Sequence, residues 1–87
     1  MNLRNKAVRL GASELEVSNR RYKKFVVTYN GKKIHFGDIR YSDYTMHKDK
    51  ARRDRYRALH EKILLKNGKP AYKDKNTASY WSYHLLW

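Results

Sequence analysis

The 87-residue sequence has no cysteine, one proline and four glycines. The missing cysteines exclude disulfides and every thiolate-based metal site, the Cys-bearing zinc fingers among them. The glycines stand singly, so no Gly-rich loop is available to cradle a phosphate. No run approaches the roughly 18–20 apolar residues of a membrane span, and none is expected. The opening stretch, MNLRNKAVRLGASELEV, lacks the continuous apolar core of a secretory leader, so no signal peptide is expected. Acidic residues are also scarce: eight Asp and Glu face 21 Lys and Arg.

His35, His47, His60 and His84 are widely spaced, and no two have i,i+4 or HxH spacing. With no cysteine to help, a metal site is not expected, nor is any other cofactor. His47 and Asp49 are near neighbours, but hydrogen bonding at a helix start accounts for them without chemistry. The aromatic signature of RNA-recognition strands is absent. No catalytic constellation emerges, so the sequence describes a non-enzymatic binding or assembly module with no small-molecule substrate.

What is abundant is positive charge and tyrosine. A net charge of +13 on 10.5 kDa exceeds what solubility needs, and its self-repulsion opposes compaction. A polyanionic partner relieves that repulsion: nucleic acid, an acidic protein surface or an anionic membrane. Eight of the twelve aromatics are Tyr, which pack their rings while sending hydroxyls to the rim or to a partner. The length allows one domain with one modest core.

Residues 1–23 read as a basic N-terminal arm. Arg4, Lys6, Arg9, Arg20, Arg21 and Lys23 face only Glu14 and Glu16 there, and Leu10, Leu15 and Val17 give no clean helical stripe. The alternatives are a frayed tail and an arm that orders on a partner, with 15–17 able to add a short strand. Residues 24–87 read as the folded domain. Asn30-Gly31 suits a type I′ hairpin turn, because both positions need positive φ. That turn pairs Tyr29 with Lys32, Val27 with Ile34 and Phe25 with Phe36. It places Phe25, Val27, Tyr29, Ile34 and Phe36 on one face and the mostly polar set of Val26, Thr28, Lys33 and His35 on the other.

A long basic helix is predicted next. Asp43 or Thr45 caps it, it starts near residues 46–48, and it ends at Lys66, where Asn67-Gly68 and Pro70 stop it. Arg52, Tyr56, Leu59 and Ile63 form a narrow stripe expected to sit on the hairpin's apolar face. Lys48, Arg55, Lys62 and Lys66 line one flank, and Lys50, Arg53 and Arg57 the other. The pairs Asp49–Arg53, Lys50–Asp54 and Arg57–Glu61 are expected to neutralise the second flank in part. Lys48, Arg53, Arg55, Arg57, Lys62 and Lys66, with Arg20 and Arg21 of the arm, are therefore the candidate contacts for a polyanion or acidic partner. A solvated charged face is the plainer reading of the same residues. Arg53, Arg55 and Arg57 cannot share one groove, which argues against sequence-specific reading by a single helix face. Asn76 or Thr77 caps a last short helix, ASYWSYHLLW, which must dock because it is too short to stand alone. Trp81 and Trp87 on it are either core aromatics or candidates for base stacking.

The run HFGDIRYSDYTMHKDKARRDRYRALH, with the distal TASYWSYHLLW, resembles a family of small basic proteins of large nucleocytoplasmic double-stranded DNA viruses, phycodnavirus and mimivirus relatives among them. The features that carry it are FGD at 36–38, YSDYT at 41–45, HKD at 47–49, RRxRYxxxH at 52–60 and the Trp-Ser-x-His-Leu-Leu-Trp close at 81–87. The resemblance spans residues 24–87. Leu59 departs from it, standing where the pattern has a basic residue, and Ser79-Tyr80 stands for Gly and Phe. The resemblance implies no catalytic residues. It implies a virion-associated or genome-associated component.

The expectation is thus a small α+β domain. A β-hairpin, extended to three strands if 15–17 joins, is packed by one long basic helix and a short aromatic C-terminal helix. Its expected role is a structural component of a large viral particle, a minor capsid or virion-associated protein. Its basic helix and arm would bridge acidic surfaces of other virion proteins. The alternative is a non-sequence-specific DNA-binding protein on the viral genome. The expected location is the virion, reached through the host cytoplasm or nucleus during assembly.

Overall fold

The computed structural model describes residues 2–87 as a single α+β domain of three antiparallel strands and four helices. Helix α1 (Leu3–Arg9) starts where the Asn2 side chain accepts from the Asn5 amide at 2.8 Å. Strand β1 (Glu14–Val17) follows, then β2 (Phe25–Tyr29) and β3 (Lys32–Phe36), in sheet order β1-β2-β3. The β2–β3 register pairs Phe25 with Phe36, Val27 with Ile34 and Tyr29 with Lys32, as the turn and the alternation require. Asn30 and Gly31 both take positive φ, +52° and +77°. β1 joins the other side of β2 with Leu15 opposite Val27, which puts Leu15 on the apolar face.

The expected arm, residues 1–23, is therefore not apart from the domain over its described part, residues 2–23. Ala7, Ala12 and Leu15 are buried in the common core, with Leu3 and Leu10 packed against it. The physical reason is area. A three-stranded sheet with one apolar face needs that whole face covered, and one short helix cannot cover it. The signal was present as Leu3, Ala7 and Leu10, an i,i+4,i+7 stripe on a short helix.

The remaining cover comes from α4 (Ala78–Leu85), which Thr77 caps by accepting from the Tyr80 amide at 3.2 Å. Trp81 is fully buried against Tyr29, and its indole N–H donates to the Lys75 carbonyl at 2.7 Å. Leu85 and Leu86 join Phe36 and Val27 in the same core. Gly37 lets this happen. Its φ is +80°, and a Cβ there would lie 2.9 Å from Leu86 Cδ1 and 3.0 Å from Lys24 Cβ. The Phe-Gly-Asp step thus ends β3 where the chain passes close against Leu86, just beyond α4.

The single long basic helix is not formed. Helix α2 (Tyr44–His47) is one turn, capped by Asp43 and ended by Lys48 in the left-handed region at φ +57°. Helix α3 (Lys50–His60) then starts afresh from Asp49, whose carboxylate accepts from the amides of Ala51 and Arg52. It does not reach Lys66. The chain turns at residues 61–63, and Leu64 bridges to Pro70 around a small loop in which Leu65 N–H donates to the Lys69 carbonyl at 2.8 Å. Gly68, at φ +82°, shapes that loop instead of capping a helix. No residue of α3 is fully buried and residues 61–64 and 66 beyond it are exposed, so little compensates the entropy of further helical turns, while the loop supplies other backbone partners.

Candidate partner-binding surface

Nor does α3 lie on the apolar face of the hairpin; α1 and α4 occupy it. Trp81, Leu85 and Leu86 offer far more apolar area than Arg52, Tyr56, Leu59 and Ile63, so α4 wins the sheet. α3 instead fastens to the far end of α4 through an aromatic column. Tyr56 lies between His60 (centroids 3.7 Å apart, planes at 16°) and Trp87 (4.1 Å, 6°), and its hydroxyl donates to Ser82 at 3.2 Å. His47 flanks Trp87 at 5.3 Å. Burial pushes the Tyr56 phenol up, the ordinary result of removing a charged form from water.

This attachment reassigns several candidate contacts. Arg57 Nη2 donates to the Trp87 carbonyl at 2.9 Å, and its guanidinium lies 5.1 Å over the Tyr83 ring. Arg57 is therefore a fastening of α3 to α4 and does not point to a partner. Arg53 is half-buried, lies 5.0 Å over Tyr44 and pairs with its neighbour Asp54 at 3.2 Å. The expected i,i+4 pairs do not form. Asp49 is spent on capping, and Glu61 accepts from the Tyr83 hydroxyl at 2.6 Å. Burial, with Glu61 as the second cause, pushes the Tyr83 phenol up to about 12. The two tryptophans are not stacking platforms. Trp81 is sealed in the core, and Trp87 is held between Tyr56 and His47.

The other flank is as the sequence places it. Lys48, Arg55, Lys62 and Lys66 are all exposed, and none pairs with a carboxylate. Leu59 and Leu64 beside them are 63% and 60% exposed, so the outer surface mixes cations with aliphatic groups. Arg20 and Arg21 are exposed in the β1–β2 connection, Arg21 lying 4.9 Å over Tyr22. Only three ion pairs form among the described residues: Lys24–Asp43, Arg40–Asp38 and Arg53–Asp54. Most of the cationic charge is thus uncompensated on the surface.

Between α3, the end of the sheet and α4 lies a cleft of about 470 Å³. Arg52, Tyr56, His60 and Ile63 face it from α3 and the turn beyond. These are mostly members of the stripe expected to be core. Lys23, Lys24 and Tyr41 stand opposite, and Ser79, Ser82 and Leu86 come from the α4 side. Asp43 anchors the opposite wall. It is buried, takes Lys24 as its ion-pair partner, and accepts from the Thr45 amide at 3.0 Å and from the Thr45 hydroxyl. This 19-residue link between sheet and α2 had no signal in the sequence. Nearby, two Arg40 hydrogen bonds at 3.0 and 2.8 Å hold the Asp38 carboxyl down at about 2.

Among the described residues, no cluster of three or more His, Asp or Glu has metal-binding proximity, and no helix is long and apolar enough to cross a membrane.

Residues 13–60, more than half of the chain, match the model of a family of unknown function, DUF5754. The chain belongs to the DUF5754 family. The matched DUF5754 region takes in β1, β2, β3, α2 and α3, that is, the sheet and the basic helix. α1 and α4 lie outside it. No curated protein and no solved structure matches the chain.

Proposed function

We propose that this protein is a non-enzymatic structural component of a large DNA virus particle, a minor capsid or virion-associated protein that bridges acidic surfaces of its neighbours. The viral part of this reading rests on the resemblance of residues 24–87. The observation that supports a protein partner is the outer face of α3 and the turn after it. There Arg55, Lys62 and Lys66 are interleaved with the exposed Leu59 and Leu64. Carboxylates beside aliphatic groups complement such a face, whereas a phosphate backbone leaves the aliphatics unused. Its location would be the virion, with passage through host cytoplasm or nucleus during assembly.

A second reading, non-sequence-specific DNA binding at the genome, is favoured by the large excess of cations outside the three ion pairs. Fractionation of purified particles separates the two. Retention with shells after nuclease treatment and release of the genome supports the structural role. Departure with the DNA overturns it in favour of the second.

A further inference from the structure

We propose that the cleft between α3, α4 and the end of the sheet receives an acidic protein segment, whose apolar side chain is anchored on the cleft floor. This deepens, and rests on, the reading of an acidic protein partner. Two observations carry it. The floor is apolar, built from Leu86, Trp87, Ile63 and Ala78, and the volume of about 470 Å³ falls in the roughly 300–1,000 Å³ range of binding pockets. The charge left over on the walls is positive. Asp38 and Asp43 are committed to Arg40 and Lys24, while Lys23 and Arg52, both exposed, have no carboxylate partner.

The floor disfavours a nucleic-acid base. Tyr56 carries His60 on one face and Trp87 on the other, and Trp87 is flanked in turn by His47. Both faces of Tyr56 are thus taken, so this ring offers no platform for the base stacking that single-stranded nucleic acid uses. An aliphatic or aromatic side chain entering edge-on, with carboxylates reaching Arg52 and Lys23, meets every feature of the cleft. That is the helix-in-groove or extended-peptide mode of recognition, with charge supplying orientation and the buried anchor supplying affinity.

The test is amide-resolved NMR titration of the full chain with three probes. One is a synthetic peptide of about sixteen residues, rich in Glu and Asp, with Leu and Phe at i,i+4 spacing. The second has Ser in place of Leu and Phe, and the third is a short DNA duplex. The expected result is binding of the Leu/Phe peptide roughly tenfold or more tightly than the Ser peptide, with amide shifts at Ile63, Ser79 and Ser82. Arg52→Glu and Ile63→Ser, both at exposed positions, should each weaken it several-fold without changing the melting curve. Equal binding of both peptides, with shifts confined to Arg55, Lys62 and Lys66, would overturn the cleft while leaving the acidic-partner reading intact. Binding of the duplex with neither peptide binding would overturn both.

Discussion

Tyr56 of α3 and Trp87 stack face to face, ring centroids 4.1 Å apart and planes 6° from parallel. This pair is the centre of the attachment of α3 to α4, and it matters because no residue of α3 is fully buried. The helix that carries the basic flank is thus held by this aromatic column, by Arg57 reaching the Trp87 carbonyl and the Tyr83 ring, by the Tyr56 hydroxyl on Ser82, and by Arg53 over Tyr44 of α2. Replacing Trp87 by Ala should cost about 1–3 kcal/mol, from the lost stack and the lost area. The loss should be local: amide exchange in α3 should approach that of an unfolded segment while β2 keeps its protection. Equal loss of protection in both would mean that α3 is integral to the core.

Arg55 and Arg57 are two residues apart and point in different directions. Arg57→Ala should destabilise by about 1–2 kcal/mol, through a lost hydrogen bond to a carbonyl and a lost contact over Tyr83. Arg55→Ala should stay within about 0.5 kcal/mol of the parent, as exposed substitutions do. Chemical denaturation of the two variants makes the comparison, and equal effects would contradict the inward placement of Arg57.

Gly37→Ala meets two obstacles at once, a left-handed backbone and the side chains of Leu86 and Lys24. It should cost about 1–3 kcal/mol or more. Gly31→Ala shares the positive φ but has nothing within 4 Å, so it should cost only about 1–2 kcal/mol. Thermal melts of both variants would show whether the larger effect falls at Gly37.

Replacing Lys48, Arg55, Lys62 and Lys66 together by Ala should leave the melt nearly unchanged, because none of the four is buried or ion-paired. Binding to an acidic partner should weaken by about 1–3 kcal/mol, the sum of several exposed pairings. Unchanged affinity for a Glu-rich peptide would remove this flank from the interface.

The pH response of Asp38 has a definite sign. Its carboxyl is held at about 2, below the ordinary 3.8, chiefly by the side-chain hydrogen bonds from Arg40. A depressed folded-state value means that the contribution is present above pH 3.8 and is lost as the pH falls through about 2. Carboxyl NMR titration should find Asp38 in that range, and Arg40→Ala should return it toward 3.8. An Asp38 value unaltered by Arg40→Ala would show that another group sets it.

The amino-acid order by itself determined what depends on neighbours. Asn30-Gly31 and the alternation around it set the hairpin and its register, because positive φ and period-two burial are properties of a few adjacent residues. Asp43 and Thr77 capped the helices that follow them, for the same local reason. The exposed cations Lys48, Arg55, Lys62 and Lys66 were legible too, since a charge without an acidic neighbour tends to stay in water. The tertiary structure decided what depends on competition between distant groups. α1 and α4 took the sheet from the basic helix because Trp81, Leu85 and Leu86 bury more apolar area than the stripe of Arg52, Tyr56, Leu59 and Ile63. With the sheet taken, Arg52, Tyr56 and Ile63 of that stripe were left along an open cleft, and Arg57, 30 residues from Trp87, turned inward to satisfy its carbonyl. Helical periodicity says which residues share a face, but the partner of that face is settled by the rest of the chain.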